Sequence, residues 1–245
     1  MPNLMDTDML SGRIPGLGSF QYSGVRPERL GSDQYTLVTV AVDGSTSVSP
    51  FGALVRDTLK KAVGACKKSP DVANIMFRVI TFGSSVTEVH GFKPLSAIDV
   101  DQDYERIRFN GNTALYDACA SAVGAMEDYG RTLVQQAFGV NGILFVISDG
   151  EDNISTYDAA TVRTKVDEIL RAETLSSFRS VLLGVNAARC EGYLRDFRQK
   201  ANLTEYRDAG DATERNMAHM ADFVSRSVSA TTSGSAGAAG GGINI

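Results

Sequence analysis

Residues 35–47 read YTLVTVAVDGSTS, and this stretch decides the fold. Its first eight residues are apolar or β-branched almost throughout, which is typical of a strand that is buried on both faces of a sheet. Asp43, Ser45 and Ser47 follow at alternate positions, so an extended backbone points their side chains the same way. Their hard oxygen atoms suit Mg²⁺, Mn²⁺ or Ca²⁺ better than zinc or copper. The stretch therefore predicts a buried strand that ends in half of a divalent-metal site.

A second apolar run, ILFVIS at 143–148, is also followed by an aspartate, Asp149. Between the two runs, the segment GNTALYD at 111–117 places Thr113 just before a helical pattern. In an open α/β sheet, ligands bind beyond the carboxyl ends of the strands, where the strand order reverses. We therefore expect Asp43 and Asp149 to converge at that edge of the sheet.

In these residues the chain resembles the von Willebrand factor type A (vWA) domain family, whose metal-ion-dependent adhesion site combines D-x-S-x-S, a separate threonine and a second aspartate. The resemblance runs over about residues 35–230. It implies that an aspartate or glutamate of a protein partner completes the metal's coordination shell. It also implies the metal ligands, which are Asp43, Ser45, Ser47, Thr113 and Asp149.

The order of the elements predicts an α/β fold, because strand patterns alternate with helix patterns along the chain. The expected architecture is a doubly wound, mostly parallel sheet with helices on both faces, and the resemblance implies the same Rossmann-like vWA fold. Two strand-like runs, 75–82 and 86–90, flank a short turn and predict a hairpin that adds one antiparallel edge strand. The last helix is predicted to begin at Asp211, with Glu214 completing a box-like cap.

Composition divides the chain into three segments. Residues 1–34 form an N-terminal extension that is neither a clear helix nor a clear strand, and 35–230 form the vWA-like domain. The extension is apolar enough to pack along the domain or to bind a partner, and the sequence leaves both open. The Gly/Ala/Ser-rich tail at 231–245 cannot bury enough surface to offset its ordering entropy, so it is predicted to be flexible.

Composition also limits the location and the partners. With 245 residues and 43% apolar content, the chain can bury a full α/β core. The net charge is −5, and the basic residues are scattered, which argues against nucleic acid as a partner. No apolar run is long enough for a membrane span, and the first residues lack a secretion-signal pattern. We therefore expect a cytoplasmic protein that binds neither nucleic acid nor membrane.

The cysteines fall at apolar positions of helical patterns, and their wide spacing does not suit a zinc site or a disulfide. We expect core thiols at all three positions, Cys66, Cys119 and Cys190.

The ligand set itself indicates a function. It supplies two formal negative charges and three weak hydroxyl donors, so an octahedral Mg²⁺ keeps water in at least one position. That position is open to a carboxylate from a partner. The predicted function is therefore metal-dependent protein binding, in an adhesion or adaptor role. Resemblance to the cytoplasmic members of the family implies a partner in a multiprotein assembly or beside a ring-forming ATPase.

Two other functions stay open. An exposed Lewis-acid site could activate water in a Mg²⁺-dependent hydrolase or phosphoryl-transfer enzyme. Against an enzyme, the sequence has no P-loop and no recognisable base beside Ser45 or Ser47. Its two histidines, His90 and His219, fall in the hairpin and in the last helix, so no catalytic residue is predicted. The third possibility is a scaffold domain that binds its partners independently of metal.

Polar residues beside the motif have open roles. Asp117, one helical turn past the motif threonine, either orients a hydroxyl or metal-bound water or plays no part in the site. Glu151, Asp152 and Asn153 extend the loop after the second motif aspartate. They form a second, calcium-type site, a rim that repels wrong partners, or a solvated acidic loop.

Overall fold

The computed structural model describes residues 6–18 and 20–234. Within them, one eight-stranded sheet lies between two layers of helices. The strands are β1 (Met9–Arg13), β2 (Gln21–Val25), β3 (Gln34–Asp43), β4 (Ile75–Phe82), β5 (Val86–Pro94), β6 (Gly139–Ser148), β7 (Ser177–Gly184) and β8 (Glu205–Asp208). The helices are α1 (Gly52–Cys66), α2 (Val100–Tyr104), α3 (Leu115–Val134), α4 (Ala159–Arg171), α5 (Glu191–Lys200) and α6 (Glu214–Thr232).

The sheet has the strand order β1-β2-β5-β4-β3-β6-β7-β8. β3 pairs in parallel with β4 on one side and with β6 on the other, and β7 and β8 continue in parallel. β5 is antiparallel to β4, so the mostly parallel sheet with an antiparallel hairpin is confirmed. The chain passes from β3 to β4 and later returns on the opposite side of β3 as β6. The strand order therefore reverses between β3 and β6, the two strands that lead into the motif aspartates.

The side chains of β3 explain why the sheet carries helices on both faces. Leu37 and Ala41 belong to the apolar cluster that contains α3, α4 and α5. Val38, Val40 and Val42 belong to the cluster that contains α1, α2 and α6. Successive residues of a strand point to opposite faces, so a continuous apolar run needs cover on both. Every residue of β3 after the first is buried accordingly.

The N-terminal extension packs along the domain, which is one of the two alternatives that the sequence left open. β1 and β2 form an antiparallel hairpin, and β2 pairs in parallel with β5. The Glu88 carboxylate in β5 accepts hydrogen bonds from the backbone N–H and the hydroxyl of Ser23, at 3.1 and 2.6 Å. Ile14 and Leu17, between the two strands, are buried against α3. The hairpin extends the sheet beyond β5, so that β1 rather than β5 lies at its edge.

Gly91 in β5 allows the N-terminal hairpin to approach. A Cβ added at Gly91 would lie 2.2 Å from the carbonyl oxygen of Ser23, a backbone atom that cannot move without shifting β2. We expect Gly91→Ala to lower the free energy of unfolding by about 1–3 kcal/mol in urea denaturation. Gly64→Ala in α1 is the control, because a Cβ there meets no atom within 4 Å. Alanine should raise stability at Gly64 by about 0.5–1 kcal/mol, and effects of the same sign at both sites would contradict the docking of the hairpin.

Cys66 and Cys119 are buried, as expected, but the third cysteine is not a core thiol. Cys190 is half-buried and immediately precedes α5, so it lies just outside the helix to which the sequence pattern assigned it. Within the part of the chain that the structure describes, no helix combines the length and the apolar character needed to cross a membrane.

The last helix begins at Glu214, three residues after the predicted start at Asp211. Thr213 provides the cap instead, because its hydroxyl accepts a hydrogen bond from the backbone N–H of Asn216 at 3.3 Å. The helix continues to Thr232, inside the segment that was assigned to the tail. Residues 235–245 of the predicted flexible tail lie outside the described residues.

Candidate metal centre

Asp43 ends β3 at the point where the strand order reverses, and it is 1% exposed. One of its carboxylate oxygens accepts a hydrogen bond from the backbone N–H of Ser45 at 2.9 Å. The other accepts a hydrogen bond from the Ser148 hydroxyl at 2.7 Å. The register of the parallel pair explains this contact, because Val42 of β3 lies beside Ile147 of β6. The two bonds fix the orientation of the carboxylate.

Hydroxyl groups connect the remaining residues of the two strand ends. The Ser45 and Ser47 hydroxyl oxygens lie 2.9 Å apart, and the Ser47 hydroxyl donates to Asp149 Oδ1 at 2.8 Å. Ser45 is buried, Asp149 is half-buried and Ser47 is exposed, so the series runs from the interior to the surface. Hydrogen bonds thus connect four of the five predicted ligands in one cluster, which extends from the buried Asp43 to the exposed Ser47.

Thr113, the fifth predicted ligand, lies in the loop before α3. Its backbone N–H donates to Asn153 Oδ1 at 2.9 Å, and the Asn153 N–H donates back to the Thr113 carbonyl at 3.1 Å. On the other side, the N–H and the hydroxyl of Thr46 both donate to the carbonyl of Gly111. The Thr113 loop is therefore attached both to the loop that follows Asp43 and to the loop that follows Asp149.

The acidic residues around the motif bind backbone N–H groups. Asp117 accepts hydrogen bonds from the N–H groups of Thr156 and Tyr157, at 3.1 and 2.9 Å. Asp152 accepts one from the N–H of Tyr116 at 3.0 Å, in the first turn of α3. α3 has no capping side chain of its own, so this loop satisfies N–H groups that the helix leaves unpaired. The contacts give Asp117 and Asp152 a structural role that holds the loop after β6 against α3.

Among the described residues, the two motif carboxylates have no cationic partner. Within residues 6–18 and 20–234, neither Asp43 nor Asp149 forms an ion pair with Lys, Arg or His, and their hydrogen bonds come from serines. Burial raises the pKa of Asp43 to about 6, and the charge of Asp149 contributes a smaller increase. The hydrogen bonds from Ser45 and Ser148 lower this pKa, but they do not offset the effect of burial. Burial also raises the pKa of Asp149. Uncompensated carboxylates joined by hydroxyls form a donor set that fits a hard divalent cation.

The supporting roles of two residues in this site were not predicted from the sequence. Ser148 binds the Asp43 carboxylate, and Asn153 holds the backbone of Thr113. Ser148 could have been found by assuming a parallel β3–β6 pair in register, whereas the Asn153 contact depends on how the loop folds. No group of three or more His, Cys, Asp or Glu side chains in the described ranges could hold a metal. The predicted ligand set is of another kind, with two carboxylates and three hydroxyls.

The mostly parallel sheet, its antiparallel strands and its two helical layers define a vWA-like fold. In sequence, the chain matches neither a protein-family profile nor a curated protein. The comparison with solved structures, in contrast, finds many chains of the same fold.

Three of these structures show the range of proteins that share the fold. The VWA domain of SpRpn10 matches with a TM-score of 0.51 and 10% identity, over 77% of this chain and 95% of that domain. The PilB minor pilin from Streptococcus sanguinis matches with a TM-score of 0.57 and 12% identity, over 84% of this chain and 64% of the pilin. Proximal thread matrix protein 1 from the mussel byssus, with a zinc-occupied MIDAS motif, matches with a TM-score of 0.54 and 17% identity, over 80% of this chain and 46% of the thread protein. Identities this low show the fold alone, and this chain spans less than two thirds of the pilin and of the thread protein.

Proposed function

We propose that this chain is a divalent-metal-dependent protein-binding domain. One observation carries the proposal: two carboxylates that form no ion pair within the described residues are linked through Ser45 and Ser47 where β3 and β6 end side by side. A bound cation would neutralise them and would accept a carboxylate from a partner protein as a further ligand. The residues that would hold the cation are Asp43, Ser45, Ser47, Thr113 and Asp149.

The donor chemistry favours Mg²⁺, with Mn²⁺ or Ca²⁺ as substitutes. All five proposed ligands offer oxygen, which hard cations prefer, and none offers nitrogen or sulfur. The thread matrix protein of the same fold has zinc in its motif, so the fold itself does not select one metal. Calorimetric titration of the metal-free protein with each cation measures the preference.

The surroundings of the hydroxyls favour binding over hydrolysis. Both ring nitrogens of His90 are engaged in the hairpin, by the Gly91 carbonyl and the Tyr104 hydroxyl. Within the described residues, no histidine or lysine forms a hydrogen bond with Ser45 or Ser47, and Ser47 donates to a carboxylate that the proposal assigns to the metal. A nucleophilic serine needs a free base beside it. These contacts support a domain that presents a cation rather than one that activates a nucleophile.

Thr113→Val tests the proposal without disturbing the interior. Valine replaces the hydroxyl by a methyl group of similar size, and the backbone bonds to Asn153 remain. We expect metal affinity to fall about tenfold, since even supporting residues around metal sites cost 10–100-fold when they are removed. The thermal midpoint in chelator should stay close to that of the wild type. The measurement is calorimetry with Mg²⁺, together with protein capture from native extract in Mg²⁺ and in chelator.

The capture experiment separates the remaining functions. A protein retained by the wild type in Mg²⁺, lost in chelator and weakened by Thr113→Val supports metal-bridged recognition. Equal retention in all conditions would contradict the proposal and favour a scaffold that binds independently of metal. Metal-dependent hydrolysis of generic phosphoesters by the wild type, lost in Thr113→Val, would favour an enzyme instead.

A further inference from the structure

A groove of about 480 Å³ opens directly beside the candidate metal centre. Gly44, the residue between Asp43 and Ser45, lines it, together with the turn that joins β4 to β5. The Ser84 hydroxyl in that turn accepts a hydrogen bond from the N–H of Asn112, the neighbour of Thr113. The wall of the groove is thus continuous with two of the loops that carry the proposed ligands.

Two arginines line this groove, Arg106 and Arg108, on the segment that follows α2. Both are exposed. Arg108 donates to the carbonyl of Glu105 at 2.7 Å, which anchors its guanidinium to the loop. Arg106 forms no ion pair and no hydrogen bond with any residue in the described ranges. A guanidinium without a partner, on a protein of net charge −5, is available for an external anion.

The carboxylates near the arginines are engaged elsewhere. Glu88 lines the groove, but its oxygens accept hydrogen bonds from Ser23 and from the buried guanidinium of Arg78 at 2.7 Å. Glu105, next to Arg106 in sequence, pairs with Lys60 at 2.8 Å. The groove therefore carries a net positive charge on a chain that is acidic overall.

We propose that the groove is a second anion-binding subsite for the same partner. The partner is an acidic peptide segment, in which one carboxylate reaches the metal centre and a second acidic side chain binds Arg106 and Arg108. The inference rests on the proposed function, because the first contact is the metal-bound carboxylate. The inference adds the class of partner, which is a segment with two acidic residues at a fixed spacing. A metal-bound carboxylate alone would not select for the second acidic residue.

Synthetic Gly/Ser peptides with blocked ends test the subsite. One series has two glutamates with a stepwise increasing separation, and the matched series has glutamine in place of the second glutamate. Each peptide is titrated into ¹⁵N-labelled protein, in excess Mg²⁺ and in chelator. The readouts are the dissociation constant and the chemical-shift changes at the Ser84 and Ser85 amides and at the Arg106 Nε–H group.

At the best spacing, we expect the second glutamate to raise affinity about fivefold over its glutamine match, as for one well-placed exposed ion pair. Arg106→Glu should reduce this ratio of affinities to about one. Arg171→Glu is the control, because Arg171 is 83% exposed, does not line the groove, and ends α4, after which the chain enters the amino end of β7. Using the ratio cancels any general effect of charge reversal on the single-glutamate contact.

The outcomes distinguish the inference from the function on which it rests. Single-glutamate peptides that bind only in Mg²⁺, with no gain from a second glutamate at any spacing, would refute the subsite and leave the proposed function standing. A gain that survives Arg106→Glu would also refute the subsite. Peptides that bind equally in Mg²⁺ and in chelator would refute both.

Discussion

Replacing Asp43 with asparagine is expected to abolish metal binding and to stabilise the metal-free protein at the same time. Asp43 supplies one of the two negative charges of the site and is its most deeply buried ligand. Removal of supporting residues from metal sites costs 10–100-fold in affinity, so loss of a charged ligand should cost at least about a hundredfold. Calorimetry with Mg²⁺ measures the loss, and partner capture should fall with it.

The gain in stability follows from the pKa of Asp43, which burial raises to about 6. The unfolded chain ionises this group near its ordinary value, about 4. Between these values the folded protein binds more protons than the unfolded chain, so metal-free stability falls as the pH rises from about 4 to about 6. Above pH 6 the wild type should be less stable than Asp43→Asn by roughly 2–3 kcal/mol in chelator, and the difference should vanish near pH 4.

Thermal melts at several pH values, in chelator and in excess Mg²⁺, test both halves of this prediction. Mg²⁺ should raise the midpoint of the wild type, because a ligand that binds only the folded state stabilises it, and should leave Asp43→Asn unchanged. Destabilisation of the variant in chelator would mean that the bonds to Ser45 and Ser148 require a charged carboxylate. Asp43 would then have a structural role that outweighs the cost of its burial.

The sequence predicted those parts of the fold in which local pattern and burial agree. Residues 35–42 are apolar or β-branched almost throughout, and they lie in the central strand β3, buried on both faces. Asp43 and Asp149 converge as predicted, because parallel strands in register place their carboxyl ends side by side. The assignment of the five metal ligands stays a prediction, although hydrogen bonds connect four of them directly.

No sequence pattern predicts the features that depend on contacts between distant segments. β1 and β2 have five residues each and lack a clear alternation, and the docking of β2 on β5 depends on close approach at Gly91. The roles of Asp117 and Asp152 depend on the path of the loop after β6, whose backbone N–H groups they bind. A residue type alone does not show whether its oxygens face a metal or a neighbouring backbone.

Glu88→Gln is expected to destabilise the fold by about 3–5 kcal/mol, because it would leave a buried charge without its partner. The Arg78 side chain is 1% exposed in β4, and its Nε donates to Glu88 Oε2 at 2.7 Å. Its Nη1 atom already lacks a hydrogen-bond partner among the described residues. The same carboxylate accepts both bonds from Ser23, so the glutamine amide group would oppose a donor on at least one side. Urea denaturation measures the loss.

The double variant Arg78→Met with Glu88→Gln separates an unpaired charge from lost hydrogen bonds. Removing both members of a buried ion pair is often nearly neutral, whereas removing one leaves a charge without compensation. If the unpaired guanidinium is the cause, the double variant should recover most of the stability that Glu88→Gln alone loses. If the bonds to Ser23 dominate instead, the double variant should be no more stable than the single one. The N-terminal hairpin would then depend on Glu88 as an acceptor rather than as the counter-charge of Arg78.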